Sequence, residues 1–347
     1  MKKGGTHKMV NVAVIGYGYW GPNLVRNFFE LPDVNVRYVV DSRPERCELV
    51  KNRYPSITTT ADYNRVLNDQ QIDAVVIATP VSTHYALATA ALDAGKHVLG
   101  EKPLTDNAAH CQLLIQKAKS RKLTLMVDHP FLFSGSVVKI KELIDGGELG
   151  DIYYCDSTRI NLGVFHHDIS VIWDLAVHDL SMINYWLKDC PTAVSATGIS
   201  HLIGQPENMA YINLYYDSKC FSHIHVNWLA PVKIRQTLLC GSRKMVVYDD
   251  LNPDEKIKIY DKGINISEKT EDIHQMLVGY RNGDIHIPRL DTAEPLHKMC
   301  THFIDCIKTG KTPLSSAESA LPIIKVMEAA DQSLKQRGAA IELERMK

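Results

Sequence analysis

Uniformly apolar runs alternate with amphipathic segments along the first 130 residues. The runs at 10–15 and 74–78 are rich in β-branched residues and have few polar positions, which predicts buried strands. Shorter runs at 36–41, 97–99 and 123–127 predict three more strands, and the segments between them predict helices. Strands that alternate with helices predict an α/β unit with a doubly wound parallel sheet. Ligands of such sheets bind at the carboxyl ends of the strands.

The pattern changes after residue 150. Residues 221–228 mix polar and apolar positions in near alternation, as expected for an antiparallel strand with one face toward water or a partner. We expect an α+β region with an open, mostly antiparallel sheet and helices on one face. Its predicted strands cover 151–161, 193–200, 209–216, 220–229, 233–240 and 244–248, and its predicted helices cover 169–188, 295–309 and 315–337.

A glycine-rich turn follows the first strand. Gly16, Gly18 and Gly21 have the spacing G-x-G-x-x-G, and Pro22 stands where a helix would begin. A strand, this turn and a helix form the context of a dinucleotide-binding fingerprint, in which the helix N-terminus faces a pyrophosphate. We therefore expect a Rossmann domain at 9–129, with Tyr19 and Trp20 of the turn also near the cofactor. Residues 1–8 are expected to be disordered. Residues 130–347 are expected to form a substrate and oligomerisation domain, whose C-terminal helices can pack back on the first domain.

The second strand ends in an acidic residue that bears on the choice of cofactor. Asp41 follows Gly16 at about the interval expected for the carboxylate that binds the adenine ribose. A carboxylate there favours NAD over NADP, because it repels a 2′-phosphate. Ser42 and Arg43 follow it, and Arg43 could pair with such a phosphate, although a solvated charge is the simpler interpretation.

Composition limits the partners. The chain has 347 residues and a net charge of −1, which argues against nucleic acid or an anionic membrane as the main partner. Its eight cysteines form no C-x-x-C pair, which is typical of reduced, cytoplasmic thiols. The tightest histidine cluster, His166-His167-Asp168, lacks metal-ligand spacing, so no metal site is predicted.

Polar residues follow the remaining strands of the first domain. If these strands lie in one parallel sheet, their carboxyl ends place the following residues along one edge: Thr79, Pro80, Glu101, Lys102, Asp128 and His129. Further along, Asp174 and His178 are four positions apart on one face of the helix at 169–188, where a solvated polar face is the alternative interpretation.

Together these residues resemble the Gfo/Idh/MocA family of oxidoreductases, named after glucose–fructose oxidoreductase and inositol dehydrogenase. The resemblance covers the chain from Val10 to about Gly338. It rests on the glycine turn, on Thr79-Pro80 with His84, on Glu101-Lys102-Pro103 and on Asp174-x-x-x-His178. It implies that Lys102 and His178 flank the nicotinamide and the substrate carbinol, and that a cis bond can precede Pro103. Where the family often has Arg-Phe, this chain has Leu132-Phe133, which puts one substrate contact in doubt.

The resemblance and the residue chemistry give one set of site residues. Oxidation of a secondary alcohol needs a base, for which His178 is suited, and a positive group near the developing alkoxide, which Lys102 supplies. Asp174 can orient the imidazole or a sugar hydroxyl. The predicted cofactor contacts are Gly16, Gly18, Tyr19, Trp20, Gly21, Asp41, Ser42, Arg43, Thr79, Pro80, His84, Glu101, Lys102 and His129. The predicted substrate contacts are Lys102, Arg159, Asn161, Asp174 and His178.

Several functions remain open at this stage. The first is an NAD-dependent dehydrogenase of a sugar. A nucleotide sugar is favoured, with an enzyme of the UDP-N-acetylhexose or uronate 3-dehydrogenase type, since the motifs around 16–22 and 294–310 resemble members from polysaccharide and deoxysugar biosynthesis. An NAD-dependent glycoside hydrolase and an inositol or free-sugar dehydrogenase are alternatives on the same fold. A dinucleotide-sensing regulator is disfavoured by the presence of Lys102, Asp174 and His178.

The antiparallel sheet also predicts a quaternary structure. Tyr211, Tyr215, Phe221 and Trp228 suggest an aromatic outer face, and exposed apolar patches usually meet a partner. We expect a homodimer or homotetramer built on this sheet, with coverage by the chain's own helices as the alternative.

Overall fold

The structure is a computed structural model that describes residues 9–163, 167–187, 189–265 and 279–344. The predicted disordered segment 1–8 and His166 lie outside these residues. The chain divides into two compact units. Unit 1 runs to Phe133 and adds Ala293–Ile324, and unit 2 contains Ser134–Thr292 and the chain from Lys325 onward.

Unit 1 is built on a parallel sheet that has six strands among the described residues, in the order β3-β2-β1-β4-β5-β6. This is the strand order of the dinucleotide-binding fold, and the order reverses between β1 and β4, where such folds bind their ligand. The strands are β1 Val10–Ile15, β2 Val34–Val40, β3 Thr58–Thr60, β4 Ala74–Ile77, β5 His97–Gly100 and β6 Leu125–Val127. The helices are α1 Gly21–Phe29, α2 Pro44–Arg53, α3 Tyr63–Asn68, α4 Val81–Asp93, α5 Ala108–Arg121 and α8 Pro295–Thr309.

The sequence predicted five of these strands and missed β3. This strand is the three-residue run of threonines beside β2, too short and too polar for a hydrophobic pattern. Asn107 caps α5, because its side chain accepts the hydrogen bond from the His110 N–H. Leu132 and Phe133 are buried in a 3₁₀ turn after β6, so they belong to the core of unit 1.

Unit 2 is built on a sheet that has nine strands among the described residues, in the order β14-β13-β12-β11-β7-β10-β9-β8-β15. All neighbours are antiparallel except β7 and β10, which run parallel. The strands are β7 Ile152–Leu162, β8 Ala193–Ile199, β9 Met209–Tyr215, β10 Phe221–Asn227, β11 Leu229–Gly241, β12 Met245–Asp249, β13 Ile257–Asn265, β14 Gly279–His286 and β15 Ile341–Glu342. The remaining helices are α6 Gly135–Asp145, α7 Val177–Trp186 and α9 Ala317–Lys335, the last of which extends from unit 1.

The predicted mixed architecture is confirmed, and the alternation of side chains explains the two faces of the second sheet. Ile212, Ile224 and Val226 are fully buried on one face. Helix α7 and the turn before it pack against this sheet, and α6 packs against α7. The Trp186 indole ties these two helices together by donating to the Val137 carbonyl over 3.0 Å. The sequence did not predict α6, β13, β14 or β15.

The opposite face of the second sheet carries the predicted aromatic side chains, with one correction. Tyr215 and Phe221 are each more than a third exposed and stack edge to face, and Tyr211 stacks on His225. Trp228 was expected on this face, but only 1% of it is exposed. Trp228 therefore belongs to the interior of unit 2.

No helix in the described part of the chain is both long enough and apolar enough to cross a membrane.

Candidate functional site

The glycine turn of unit 1 closes tightly at the switch point of the sheet. Gly16 has a φ of +97°, and a Cβ at this position would collide with the Ala78 carbonyl at the end of β4. A Cβ on Gly21 would collide with the carbonyl of Gly16 itself. Beside Gly18, by contrast, the nearest group to a Cβ is the Arg43 guanidinium at 3.8 Å. The turn therefore needs Gly16 and Gly21 for its own closure and keeps open space at Gly18.

Asp41 lies beside this turn and is ionised. Its carboxylate accepts hydrogen bonds from the Tyr17 N–H at 2.8 Å and the Arg43 N–H at 3.0 Å. The Arg43 side chain donates to both carboxylate oxygens at 2.9 Å. Burial raises the pKa of Asp41, but these hydrogen bonds outweigh it and lower the pKa to about 2. A fixed negative charge therefore stands at the end of β2.

The residues after β4 are held together by a buried histidine. His84 lies in α4 with Nδ1 2.9 Å from the Pro103 carbonyl oxygen and Nε2 2.8 Å from the Thr79 carbonyl oxygen. Burial lowers the pKa of His84. Because a neutral ring has one N–H, it donates to one of these carbonyls at a time. His84 thus links the Thr79 segment to the segment of Pro103, while Pro80 is exposed.

The residues after β5 and β6 meet around Lys102. The peptide bond between Lys102 and Pro103 is cis, which confirms the expectation from the resemblance. The Lys102 N–H donates to the Glu101 carboxyl over 3.2 Å. From the glycine turn, the Trp20 indole donates to the Asp128 carboxyl over 3.0 Å. Burial, with a further contribution from Lys102, lowers the pKa of His129 to about 3, so that its imidazole is neutral.

Unit 2 places its candidate catalytic pair on an irregular helix. Asp174 lies in a π-helical turn, Ile172–Ala176, and His178 lies in the first turn of α7. Single π-helical turns inside helices often occur at functional sites. The Trp228 indole donates to the Asp174 carboxylate over 3.2 Å. This contact fixes the position of Asp174 relative to the end of β10.

The two other predicted substrate contacts in unit 2 differ in their surroundings. Asn161 lies near Trp228, since a Cβ built on Gly163 would be 3.0 Å from the Asn161 amide and 2.9 Å from the indole. Arg159 is 3% exposed and donates to Asp179 at 2.7 and 3.2 Å. The Ser157 hydroxyl also donates to Asp179. This buried ion pair joins Arg159 to α7, and the contact of Arg159 with the substrate stays a prediction.

The remaining predicted cofactor contacts are surface residues, and the sequence missed two participants. Tyr19 is 94% exposed and Ser42 is exposed at the start of the segment before α2. Trp228 was not assigned to the site, and Asp128 was noted only by its position after β6. Both are hydrogen-bonded to residues far away in the sequence, which a periodic pattern cannot reveal.

Among the described residues, no group of three His, Cys, Asp or Glu side chains could hold a metal ion.

Both parts of the chain match models of one known protein family. Residues 10–129 match the model of the Gfo/Idh/MocA oxidoreductase family that describes its NAD-binding Rossmann fold. Residues 141–343 match the model of the C-terminal alpha/beta domain of the same family. The two matches together cover most of the chain.

Individual relatives match over nearly the full length. Myo-inositol 2-dehydrogenase of Thermotoga maritima is 23% identical, over 94% of this chain and 97% of its own. The scyllo-inositol 2-dehydrogenase (NAD(+)) of Bacillus subtilis is 26% identical, over 96% of both chains. Among solved structures, UDP-N-acetylglucosamine 3-dehydrogenase GnnA from Acidithiobacillus ferrooxidans has a TM-score of 0.80 at 21% identity, over 95% of this chain and 98% of that one. At this identity the last likeness shows the fold alone.

Proposed function

Because this chain belongs to the Gfo/Idh/MocA oxidoreductase family, we propose that it transfers a hydride between NAD and a secondary alcohol of a sugar, with a nucleotide-linked sugar as the substrate. The observation that carries the proposal is the set of groups at the carboxyl ends of β1, β2 and β5 in unit 1. These are the open turn at Gly18, the ionised Asp41 and the ammonium-bearing Lys102.

The residues of unit 1 fit the cofactor. The α1 N-terminus and the space at Gly18 suit a pyrophosphate, since unpaired N–H groups at a helix start attract anions. The Asp41 carboxylate suits the hydroxyls of an adenine ribose. When bound, NAD supplies the hydride acceptor, and the protein supplies binding, orientation and charge.

In this proposal each catalytic side chain has one task. Neutral His178 accepts the proton of the substrate hydroxyl as the hydride leaves the same carbon. Lys102 places positive charge near the oxygen on which negative charge develops. Asp174, positioned by Trp228, orients the imidazole or a neighbouring hydroxyl.

Two substrate classes are distinguished by different observations. The motifs around 16–22 and 294–310 resemble proteins of polysaccharide and deoxysugar biosynthesis, which supports a nucleotide sugar. The second candidate is an inositol, because two inositol dehydrogenases match this chain over more than nine-tenths of its length. Both are rings of secondary alcohols, so the same residues would serve either.

A substrate panel tests the proposal. The purified chain is incubated with NAD and, in separate reactions, UDP-N-acetylglucosamine, UDP-N-acetylglucosaminuronate, UDP-glucose, myo-inositol, scyllo-inositol and glucose, and the absorbance of NADH is followed. We expect net NADH formation with a UDP sugar and a lower kcat/KM with the free polyols. A higher kcat/KM with an inositol would replace the first candidate with the second. Cleavage of a glycoside without net NADH would refute both and indicate the hydrolase chemistry of the alternative function.

We also propose that the chain forms a homodimer or homotetramer through the outer face of the sheet in unit 2. The support is the group of partly exposed aromatic and aliphatic side chains on neighbouring strands of that face: Tyr154, Tyr215, Phe221 and Leu238.

A further inference from the structure

Two carboxyl groups follow neighbouring strands of the sheet in unit 1. Glu101 directly follows β5, and Asp128 directly follows the neighbouring strand β6. Asp128 is 1% exposed, its N–H donates to the Gly100 carbonyl over 2.8 Å, and the two carboxyl groups lie close enough to shift each other's pKa. Two ionised carboxylates can only accept hydrogen bonds, so a hydrogen bond between them requires a proton.

The other partners of the pair account for one oxygen of each carboxyl. Glu101 Oε2 accepts from the Lys102 N–H, and Asp128 Oδ2 accepts from the Trp20 indole. The remaining oxygens, Glu101 Oε1 and Asp128 Oδ1, are buried and have no hydrogen-bond partner among the residues that the structure describes. One proton held between the two carboxyls supplies the missing donor.

The charges around the two carboxyls compensate one negative charge rather than two. Lys102 is the cation that acts on both carboxyls, and it favours their ionised forms. Burial raises the pKa of Glu101 well above its usual value, with a further increase from Asp128, and burial also raises the pKa of Asp128. Two further groups nearby are uncharged, because the His129 imidazole is neutral and burial raises the pKa of the Cys300 thiol in α8. The charged Arg26 and Glu294 close to Cys300 form an ion pair with each other.

We propose that Glu101 and Asp128 share one proton and form a proton-linked sensor of the redox state of the cofactor, releasing this proton when NAD⁺ binds and retaining it when NADH binds. The inference rests on the proposed function, in which the Lys102 segment lies at the nicotinamide end of the cofactor. The nicotinamide ring carries a positive charge in NAD⁺ and none in NADH. A positive charge near the pair favours its doubly ionised form, whereas the pyrophosphate charges are common to both nucleotides.

The proton balance of the cycle follows. When NAD⁺ binds, the pair changes from one negative charge to two and the proton passes to water. Hydride transfer then removes the charge of the ring, so the pair takes one proton back from water as NADH forms. Reduction of the cofactor is thereby coupled to proton uptake at a site separate from the base that accepts the substrate proton.

The test compares the two nucleotides with the wild-type protein. Dissociation constants for NAD⁺ and NADH are measured by calorimetry through the neutral pH range, in two buffers of different ionisation enthalpy so that released protons are counted. Binding that releases a proton tightens as the pH rises, by up to about tenfold per pH unit. We expect this dependence of the dissociation constant on pH, and the release of up to one proton on binding, for NAD⁺ but not for NADH.

A variant and a matched control test whether the pH dependence of NAD⁺ binding comes from the pair of Glu101 and Asp128. Asp128→Asn keeps the shape and supplies an N–H donor to Glu101, so the shared proton is lost and the pH curves of the two nucleotides should become parallel. Asp331 is the control, since it is also a partly buried carboxyl that accepts from an indole, that of Trp173, but it lies in unit 2. Asp331→Asn should retain the wild-type pH dependence of NAD⁺ binding.

The outcomes distinguish a failure of the shared proton from a failure of the proposed function. Binding of both nucleotides with parallel pH curves in the wild-type protein would overturn the shared proton and leave the proposed function intact. Failure of either nucleotide to bind would overturn both. Should Asp128→Asn not fold, the proton count of the wild-type protein alone decides.

Discussion

At the scale of single residues, we expect the roles of His178 and Lys102 to be separable. His178→Ala should reduce kcat by about 10²–10⁴-fold, the usual contribution of a general base, and change the dissociation constant of NAD little. Lys102→Ala should also lower kcat through loss of charge stabilisation. If both act on one oxygen, the loss in the double variant should be smaller than the product of the two single losses. Steady-state kinetics and NAD titration of the three variants measure this.

The role of His178 also has a pH signature. Only a neutral imidazole can accept a proton, so alcohol oxidation by the wild-type protein should accelerate as the pH rises through the range in which histidine titrates. The His178→Ala variant should lose this rise. A variant rate within a few-fold of wild type, with the same profile, would remove His178 from the mechanism and make Tyr185 of α7 the next candidate.

Asp41 is expected to favour NAD over NADP. The ionised carboxylate would lie beside a 2′-phosphate, whereas it can accept hydrogen bonds from the free hydroxyls of NAD. Asp41→Ala should weaken NAD binding by about 1–3 kcal/mol and also free the Arg43 guanidinium, so NADP binding should improve relative to NAD. Arg43→Ala is the control and should not improve NADP. Tighter binding of NADP than NAD by the wild-type protein would contradict the assignment.

The same residue gives a stability prediction. The pKa of Asp41 is lower in the folded protein, about 2, than the value of 3.8 for a free side chain, so its ionisation stabilises the fold above pH 3.8 and this contribution is lost as the pH falls toward 2. The contribution is about 2 kcal/mol. Urea unfolding at neutral pH and at about pH 3 should therefore show a smaller loss of stability for Asp41→Asn than for wild type. An equal loss in both proteins would show that the Asp41 carboxyl is not linked to folding.

At the scale of helices and strands, the buried pair of Arg159 and Asp179 joins β7 to α7. Asp179→Asn leaves a buried guanidinium without its counter-charge, so we expect a loss of about 3–5 kcal/mol in the free energy of unfolding. Replacing both residues together, as Arg159→Met with Asp179→Leu, should restore much of this loss because no lone charge remains. Denaturation curves of the single and double variants provide the comparison, and equal stability of wild type and Asp179→Asn would argue against a structural pair.

The contact between Trp228 and Asp174 joins the end of β10 to the π-helical turn. Trp228→Phe removes the indole donor but keeps an aromatic ring, so we expect kcat/KM for the sugar to fall by the equivalent of about 1–3 kcal/mol while NAD binding is retained. The neighbouring Trp173→Phe is the matched control, because the Trp173 indole donates to Asp331 instead. An equal loss in both variants would indicate general destabilisation rather than misplacement of Asp174.

Sequence patterns predict some features of these elements and not others. The buried strands, the glycine turn and the segment Glu101-Lys102-Pro103 were predictable because local composition and spacing determine them. The burial of Arg159 and Trp228 was not, since it depends on Asp179 and Asp174, which come from a different part of the chain. The π-helical turn was missed for a related reason. It changes which residues share a face without changing the hydrophobic pattern that predicts a helix.

At the scale of the whole molecule, the open face of the unit 2 sheet predicts self-association. Its aromatic and aliphatic side chains lie on strands paired in register, for example Phe221 opposite Tyr215, so they form a continuous surface rather than scattered exposed residues. Exposed apolar surface of this kind usually meets a partner, and a second copy of the chain presents the same surface. We expect a dimer or tetramer by light scattering at micromolar concentration.

A charge placed on this face should disrupt the assembly. Phe221→Glu would bury a carboxylate against apolar side chains of the second copy, so the mass measured by light scattering should fall toward that of the monomer, 39.0 kDa, while circular dichroism remains that of the folded chain. The control is Leu49→Glu, an equivalent change at an exposed leucine of α2 in unit 1, which should leave the mass unchanged. A wild-type protein that is monomeric, or an assembly that tolerates Phe221→Glu but not Leu49→Glu, would show that this face is not the interface.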